Sequence, residues 1–309
     1  MRFRTTCLFA IAAVVVGAPR TSADPPPIRI GHQKFHEWKD AWRIANNTVE
    51  VIYVPQVGRI MRYALIGARN MLWLNSKLAG KDADLTNPDW QNFGGDKLWT
   101  APQSAWGWPP DPMMDRGPST VTTSGNHLVI TGSPCPRSGI QFRREIVLEP
   151  TGPKVTIINT MTNISDKPVQ WSVWEVAQTG DPDQVSLPLD PGGKFANGYT
   201  VLGDTSADPA MLSTAGDRLT VKRNTTKSFK CGTSAKTGPL IASEESLDFI
   251  VSADFSGTGD FPDGGCAEEI YTNPDPLKYV ELELLGPVVT LQPHESVSMT
   301  THWTLRRTR

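Results

Sequence analysis

KVTIINTMTNISDKPVQWSVWEVAQ, residues 154–178, sets two runs of β-branched and aromatic residues on either side of a polar turn. Val155, Ile157 and Met161 share one parity, and Thr156, Thr160 and Thr162 the other. That period of two is a strand's, since successive side chains of an extended chain point to opposite faces. Ser165, Asp166 and Pro168 punctuate the turn between the runs. In the second run Trp171 and Trp174 differ by an odd number, so they face opposite ways and at least one belongs to a core.

The same grammar extends outward. TVEVIYVP (48–55), RIMRYALIG (59–67), HLVITG (127–132), FRREIVLEP (142–150), DRLTVKR (217–223), LDFIVSADF (247–255), KYVELELLG (278–286) and ESVSMTTHWTL (295–305) all read as strands. Clusters such as EPTGP (149–153), LDPGGK (189–194), GTGDFPDGG (257–265) and TNPDP (272–276) separate them. Helical periodicity is confined to two short candidates, KFHEWKDAW (34–42) and NSKLAGK (75–81). Many short strands at close spacing predict an all-β sandwich or barrel, and no linker divides residues 24–309 into more than one domain.

The first residues read as an address. MRFR is basic, CLFAIAAVVVGA is too short to span a bilayer, and TSA offers small residues before Asp24. A signal peptide cleaved after Ala23 is expected, giving a secreted or periplasmic protein with no membrane span. Cleavage removes Arg2, Arg4 and Arg20 and no acid, taking the formal charge from −2 to −5. A mildly acidic chain without a basic run argues against nucleic acid as a partner. Cys135, Cys231 and Cys266 remain, an odd number, with Cys231–Cys266 the preferred pair in an oxidising compartment.

Five of the ten tryptophans fall between Trp73 and Trp108. WTAPQSAWGWPPDP (99–112) is too rich in proline for an interior strand, so Trp99, Trp106 and Trp108 sit on or beside a loop. Indoles beside polar groups form walls of ligand pockets, and their faces stack on the C–H side of a sugar ring. NFGGDKLW (92–99) places Asp96 and Lys97 next to a glycine pair in this neighbourhood. It reads either as a solvated turn or as the floor of a sugar-binding cleft. Asn92 is a ligand group or a turn former, and Gln103 and Gln178 are candidate hydroxyl-binding amides. Arg59 either clamps an anionic group or makes a surface salt bridge. No nucleophile elbow and no phosphate loop occur, so no cofactor is expected.

Three blocks together resemble a known family. YVPQVGRIMRYALIGARNMLW (53–73) resembles the opening hairpin of galactose mutarotase-like (aldose 1-epimerase-like) proteins. NFGGDKLW, then PQ and WGWPPDP, and DGGCAEEIYTNPDPLKYVELELLGPVVTLQPHES (263–296) resemble an uncharacterised bacterial exported family of that superfamily. The resemblance runs from about Val49 to Leu305 and implies a β-supersandwich whose concave face holds carbohydrate. It also implies a late glutamate as general base, before a turn of L-x-P-G-E type. Glu281 and Glu283 fit that place, with His294 where glycine is usual. Glu175 stands where the superfamily carries an acid histidine. The resulting catalytic candidates are Glu175, Glu281, Glu283 and Asp96. The ligand-binding candidates are Arg59, Asn92, Lys97, Trp99, Gln103, Trp106, Trp108 and Gln178. The function implied is acid/base chemistry on a sugar, the alternatives being a non-catalytic sugar-binding module or a glycan-cleaving enzyme.

Overall fold

The computed structural model describes residues 27–203, 208–255 and 259–308, and the expected signal peptide lies outside them. The strands, in chain order, are β1 (Arg29–Phe35), β2 (Trp38–Ala45), β3 (Val49–Val54), β4 (Arg59–Leu65), β5 (Asp96–Ala101), β6 (Ser119–Ser124) and β7 (His127–Gly132). Next come β8 (Ile140–Leu148), β9 (Val155–Asn163), β10 (Val169–Thr179), β11 (Gln184–Pro188), β12 (Thr200–Val201), β13 (Leu212–Ala215) and β14 (Arg218–Val221). The last are β15 (Phe229–Thr233), β16 (Leu240–Glu244), β17 (Leu247–Asp254), β18 (Glu268–Thr272), β19 (Val280–Leu285), β20 (Val289–Leu291) and β21 (Ser296–Arg307). One five-residue helix, α1 (Pro112–Arg116), rises from the proline-rich loop. Asp111 caps it by accepting from the Met113 amide, and Pro112 opens it where its missing N–H costs nothing.

Two large antiparallel sheets result, as the sequence predicts. The first runs β1-β2-β3-β4-β5-β10-β19-β18-β15-β12, with β20 beside the start of β10. The second runs β13-β14-β11-β16-β17-β21-β9-β8-β7-β6. Although β9 and β10 are consecutive, they belong to different sheets, so the turn at residues 164–168 carries the chain from one layer to the other. Alternate residues of β8 and β9 are buried, as expected for strands with one face on a core. From Ser172 onward β10 is buried on both faces. Between the layers Tyr63, Phe249 and Trp303 meet with ring centroids 5.4–5.7 Å apart. Truncating such a ring to alanine costs roughly 3–5 kcal/mol.

Both helix candidates are corrected. KFHEWKDAW forms the β1–β2 hairpin, with Phe35 opposite Trp38 and a turn through His36 at φ 53°. Trp38 and Ala41 bury against Ile52, Met61 and Phe93, and β2 pairs with β3, so tertiary pairing overrides a weak local helical pattern. NSKLAGK forms turns in which the Asn75 side chain accepts from the Lys77 amide. The expected Cys231–Cys266 disulfide is absent, and all three described cysteines are free. Cys231 belongs to the core between the sheets. Its neighbour Gly232 faces the other way, and a Cβ there would come within 2.6 Å of Cys266 Sγ. The two thiols therefore lie on opposite faces of β15.

Candidate functional site

NFGGDKLW leads into the middle of the first sheet. Gly94 and Gly95 take φ of 89° and 73°. A side chain at Gly94 would strike the Trp73 carbonyl, and one at Gly95 the Ile60 carbonyl, so both the dihedrals and the close approach require glycine. Asn92 accepts from the Gly94 amide at 3.1 Å, which makes it the turn former. From there β5 enters between β4 and β10 with every residue buried. The segment is thus not a solvated turn.

Strand alternation then sorts the candidates. On β10 the pairing sets Trp174 opposite Trp99, Val176 opposite Lys97, Gln178 opposite Glu281, and Val176 also opposite Glu283. Further across, Glu281 faces Tyr271, Glu283 faces Glu269, and Tyr271 faces Lys230. These side chains share one face of β5, β10, β19, β18 and β15. That face floors a cleft of about 340 Å³ lined by Trp90, Trp99, Trp108 and Trp174 together with Gln103, Lys230, Tyr271, Asn273, Tyr279, Glu281 and Glu283. Trp108 is 56% exposed at its rim.

Within the cleft each carboxylate has fixed partners. Glu281 Oε1 accepts from Lys97 Nζ at 3.0 Å and from Gln178 Nε2 at 2.8 Å. Lys97 Nζ also lies 4.3 Å from the Trp99 ring centroid, a cation–π contact. Glu283 Oε2 accepts from the Trp174 indole at 2.8 Å and from Lys230 Nζ at 3.0 Å. Lys230 also pairs with Glu269 at 2.6 Å. Burial lowers the Lys97 ammonium, partly offset by Glu281. Burial works against the Lys230 ammonium too, yet Glu269 and Glu283 outweigh it and hold the group above its usual range. Burial pushes Glu269 well up and Glu283 up, the latter helped by the Glu281 charge. Burial and Glu281 push Tyr271 up to about 12. The cleft therefore presents two carboxyls two residues apart on one face, of which Glu283 is raised by burial against the pull of Lys230.

Asp115 fixes the aromatic wall. Its carboxylate, fully buried, accepts from Arg59 at 2.6 Å, from the Trp99 indole at 3.0 Å and from the Trp90 indole at 3.1 Å. Arg59, expected to clamp an anion or lie at the surface, is instead sealed inside, with its other amine donating to the Gly94 carbonyl at 2.9 Å. Trp106 stands behind the cleft, edge-on to Trp99 at 5.8 Å, its indole donating to the Thr100 carbonyl at 2.8 Å. Trp90, Asp115, Lys230, Tyr271, Asn273 and Tyr279 join the site without being among the candidates drawn from the sequence. The last three lie within the quoted run IYTNPDPLKY, whose polar aromatics around a proline-rich turn were the available signal.

Asp96 and Glu175 do not reach the cleft. Each sits one residue out of phase with a cleft residue on its strand, so each points between the sheets. Glu175 accepts there from Asn159, from Thr301 at 2.7 Å and from the Trp303 indole at 3.0 Å. Arg144 lies 2.5 Å from Asp96 and 3.8 Å from Glu175. Burial pushes Asp96 up to about 8 against the pull of Arg144. His294 takes φ 68° in the turn before β21, the left-handed conformation a glycine would favour, while Glu295 closes that turn on the Gln292 amide. Among the described residues no group of three metal-ligating side chains forms, and no helix is long and apolar enough to cross a membrane.

The family model described as "Domain of unknown function (DUF4380)" matches residues 40–194, half of the chain. The chain belongs to this family. The DUF4380 match runs from within β2 through β11, and with them Lys97, Trp99, Gln103, Trp108 and Trp174, but stops before Lys230, Glu281 and Glu283. A search of curated proteins found no match. Among solved structures, this DUF4380 protein resembles a galactose mutarotase related enzyme from Lactobacillus acidophilus, with a TM-score of 0.56 at 12% identity over 86% of this chain and 97% of the other. A galactose mutarotase-like protein from Lactobacillus casei gives 0.56 and 12% over 86% and 100%. A TPR-domain containing protein from Parabacteroides distasonis gives 0.56 and 14%, over 86% of this chain and 46% of that one, so the chain spans just under half of its length. The likeness at these identities is one of fold, and the fold is galactose mutarotase-like.

Proposed function

We propose that the protein is exported, binds carbohydrate in the Trp-lined cleft and acts on it by acid/base chemistry. The observation that carries this reading is the joining of four indoles to Glu281 and Glu283 along one concave wall. Indole faces cover the apolar side of a sugar ring while carboxylates, Asn273 and Gln103 meet its hydroxyls. The fold neighbours support a sugar-related function, and the basic, apolar opening of the sequence supports export. In the simplest reaction, anomeric epimerisation, Glu281 takes the proton of the anomeric hydroxyl and Glu283 gives one to the ring oxygen. The bond from the anomeric carbon to that oxygen breaks, and the open aldehyde recloses on either face. Calorimetry with a saccharide panel, followed by NMR of anomeric exchange, tests this. Glu281→Gln and Glu283→Gln should each slow exchange by about 100-fold or more while keeping the ligand bound. Variants as fast as wild type would overturn the assignment.

A second reading, a sugar-binding protein without turnover, is favoured by one observation. Both carboxylates are held by lysines, and no histidine is among the described residues that line the cleft. Saccharide binding with no acceleration of exchange would select it.

A further inference from the structure

Beside the cleft stands a carboxyl that the proposed reaction leaves idle. Glu269 on β18 is fully buried and is not among the residues that line the cleft. Strand register sets it opposite Glu283 on β19 and opposite Gly232 on β15. A Cβ at Gly232 would come within 3.0 Å of Glu269 Cγ, so the glycine leaves the room that the acid's side chain occupies. Two residues earlier on the same face of β15, Lys230 reaches both acids. Its Nζ lies 2.6 Å from Glu269 Oε2 and 3.0 Å from Glu283 Oε2. One ammonium thus serves two carboxyls, one in the cleft and one sealed next to it.

The charges of this trio do not match one to one. Two ionised carboxylates at a single buried ammonium leave one negative charge out of water without a counter-ion, and a proton on either acid removes it. Burial raises both acids against the pull of Lys230, and carboxylate neighbours raise each further: Glu283 and Asp263 act on Glu269, and Glu281 acts on Glu283. Lys97 pulls Glu283 the other way, while the Trp174 indole donates to it without titrating. Cys231, Cys266, Tyr271 and Tyr279 complete the surroundings of the pair, and burial pushes all four up, so they stay neutral while the acids titrate.

We propose that Glu269 is a positioning residue for the cleft chemistry, sharing one proton with Glu283 across Lys230. With the proton on Glu283, the Glu269 carboxylate matches the Lys230 charge. When Glu283 gives that proton to the ring oxygen, the ammonium already stands 3.0 Å from the carboxylate that forms, and stabilises it. Ring closure returns the proton to Glu283, so no other reactant is consumed. The role in catalysis rests on the acid/base function proposed for the cleft, whereas the shared proton is read on the ligand-free protein. Carbon-13 NMR of carboxyl-labelled glutamate, with Glu283→Gln and Glu269→Gln assigning the signals, follows both acids from pH 4 to 10. Each should titrate in two steps, at the same two pH values. In Glu269→Gln, which keeps the acid's shape, Glu283 should titrate in one step and be fully ionised about one pH unit or more lower. The pH above which sugar exchange falls should move down with it. A merely structural role would lower rate or stability at every pH and leave that position where it is. Separate single steps in the wild type overturn the shared proton even where Glu269→Gln does not fold, as does an unmoved Glu283 in the folded variant. Shared steps without exchange of any sugar uphold the shared proton and overturn the enzymatic reading alone.

Discussion

Three donors converge on the Asp115 carboxylate: the Arg59 guanidinium and the indole N–H groups of Trp90 and Trp99. They come from 56, 25 and 16 residues away, which is why nothing local in PMMDR marks the aspartate. In the sequence Arg59 and the tryptophans are separate candidates, because nothing local marks their common partner. In the structure Arg59 serves the cleft at one remove, by holding the group that orients its rings. Asp115→Ala should leave a buried guanidinium unpaired and two indoles unanchored, costing about 3–5 kcal/mol in urea denaturation. The more telling variant is Asp115→Asn, whose Oδ1 keeps one indole acceptor but gives up the charge. It should weaken saccharide binding in fluorescence titration and shift the tryptophan emission of the free protein. Unchanged emission and affinity in that variant would separate Asp115 from the cleft.

At the scale of an element, β10 shows what the sequence made legible. Its strand character was plain, as was that of nine other runs, because alternation in β-branched and aromatic residues is a local property. That Trp171 and Trp174 face opposite ways was equally plain. Which face forms the cleft was not, since that depends on the partner strands β5 and β19 from distant parts of the chain. Hence Glu175, adjacent to Trp174, joins Gln178 among the sequence candidates, although parity puts the acid and the amide on different sides of the sheet. DKLWTA escaped as a strand for a related reason. Its glycine pair and its charged first residues carry the signature of a turn, and only its pairing with β10 overrides that. The structure yields a direct contrast. Glu175→Gln disturbs the network with Asn159, Thr301 and Trp303, and should lower stability by about 1–3 kcal/mol. Saccharide affinity and exchange rate per folded molecule should stay at the wild-type level. A selective loss of turnover in a stably folded Glu175→Gln would return the residue to the catalytic set.

At the scale of the molecule, two broad layers press several acids out of water. Burial raises Asp96, Glu268, Glu269 and Glu283, while Arg43 and Arg62 hold the half-buried Glu50 down despite burial, and Arg223 holds Asp181 down. The two sets bend stability in opposite directions with pH. An acid raised on folding binds its proton more tightly in the native state, so its contribution is complete below the unfolded pKa and is lost as pH climbs through the folded one. For Asp96 that window runs from 3.8 to about 8. The lowered acids contribute above their unfolded values and lose their contribution on acidification. Stability should therefore be greatest in mildly acidic solution and decline from there towards pH 8, rather than hold level through neutrality. Asp96 is the group to test, because Arg144 faces it from the opposite sheet and Glu175 lies on the neighbouring strand, away from the cleft. Urea unfolding of wild type and Asp96→Asn at intervals from pH 5 to 9 should show the wild type losing stability more steeply, the curves differing in slope and not only in height. Parallel curves would mean that Asp96 is ionised throughout, and that the Arg144 pair outweighs the cost of burying it.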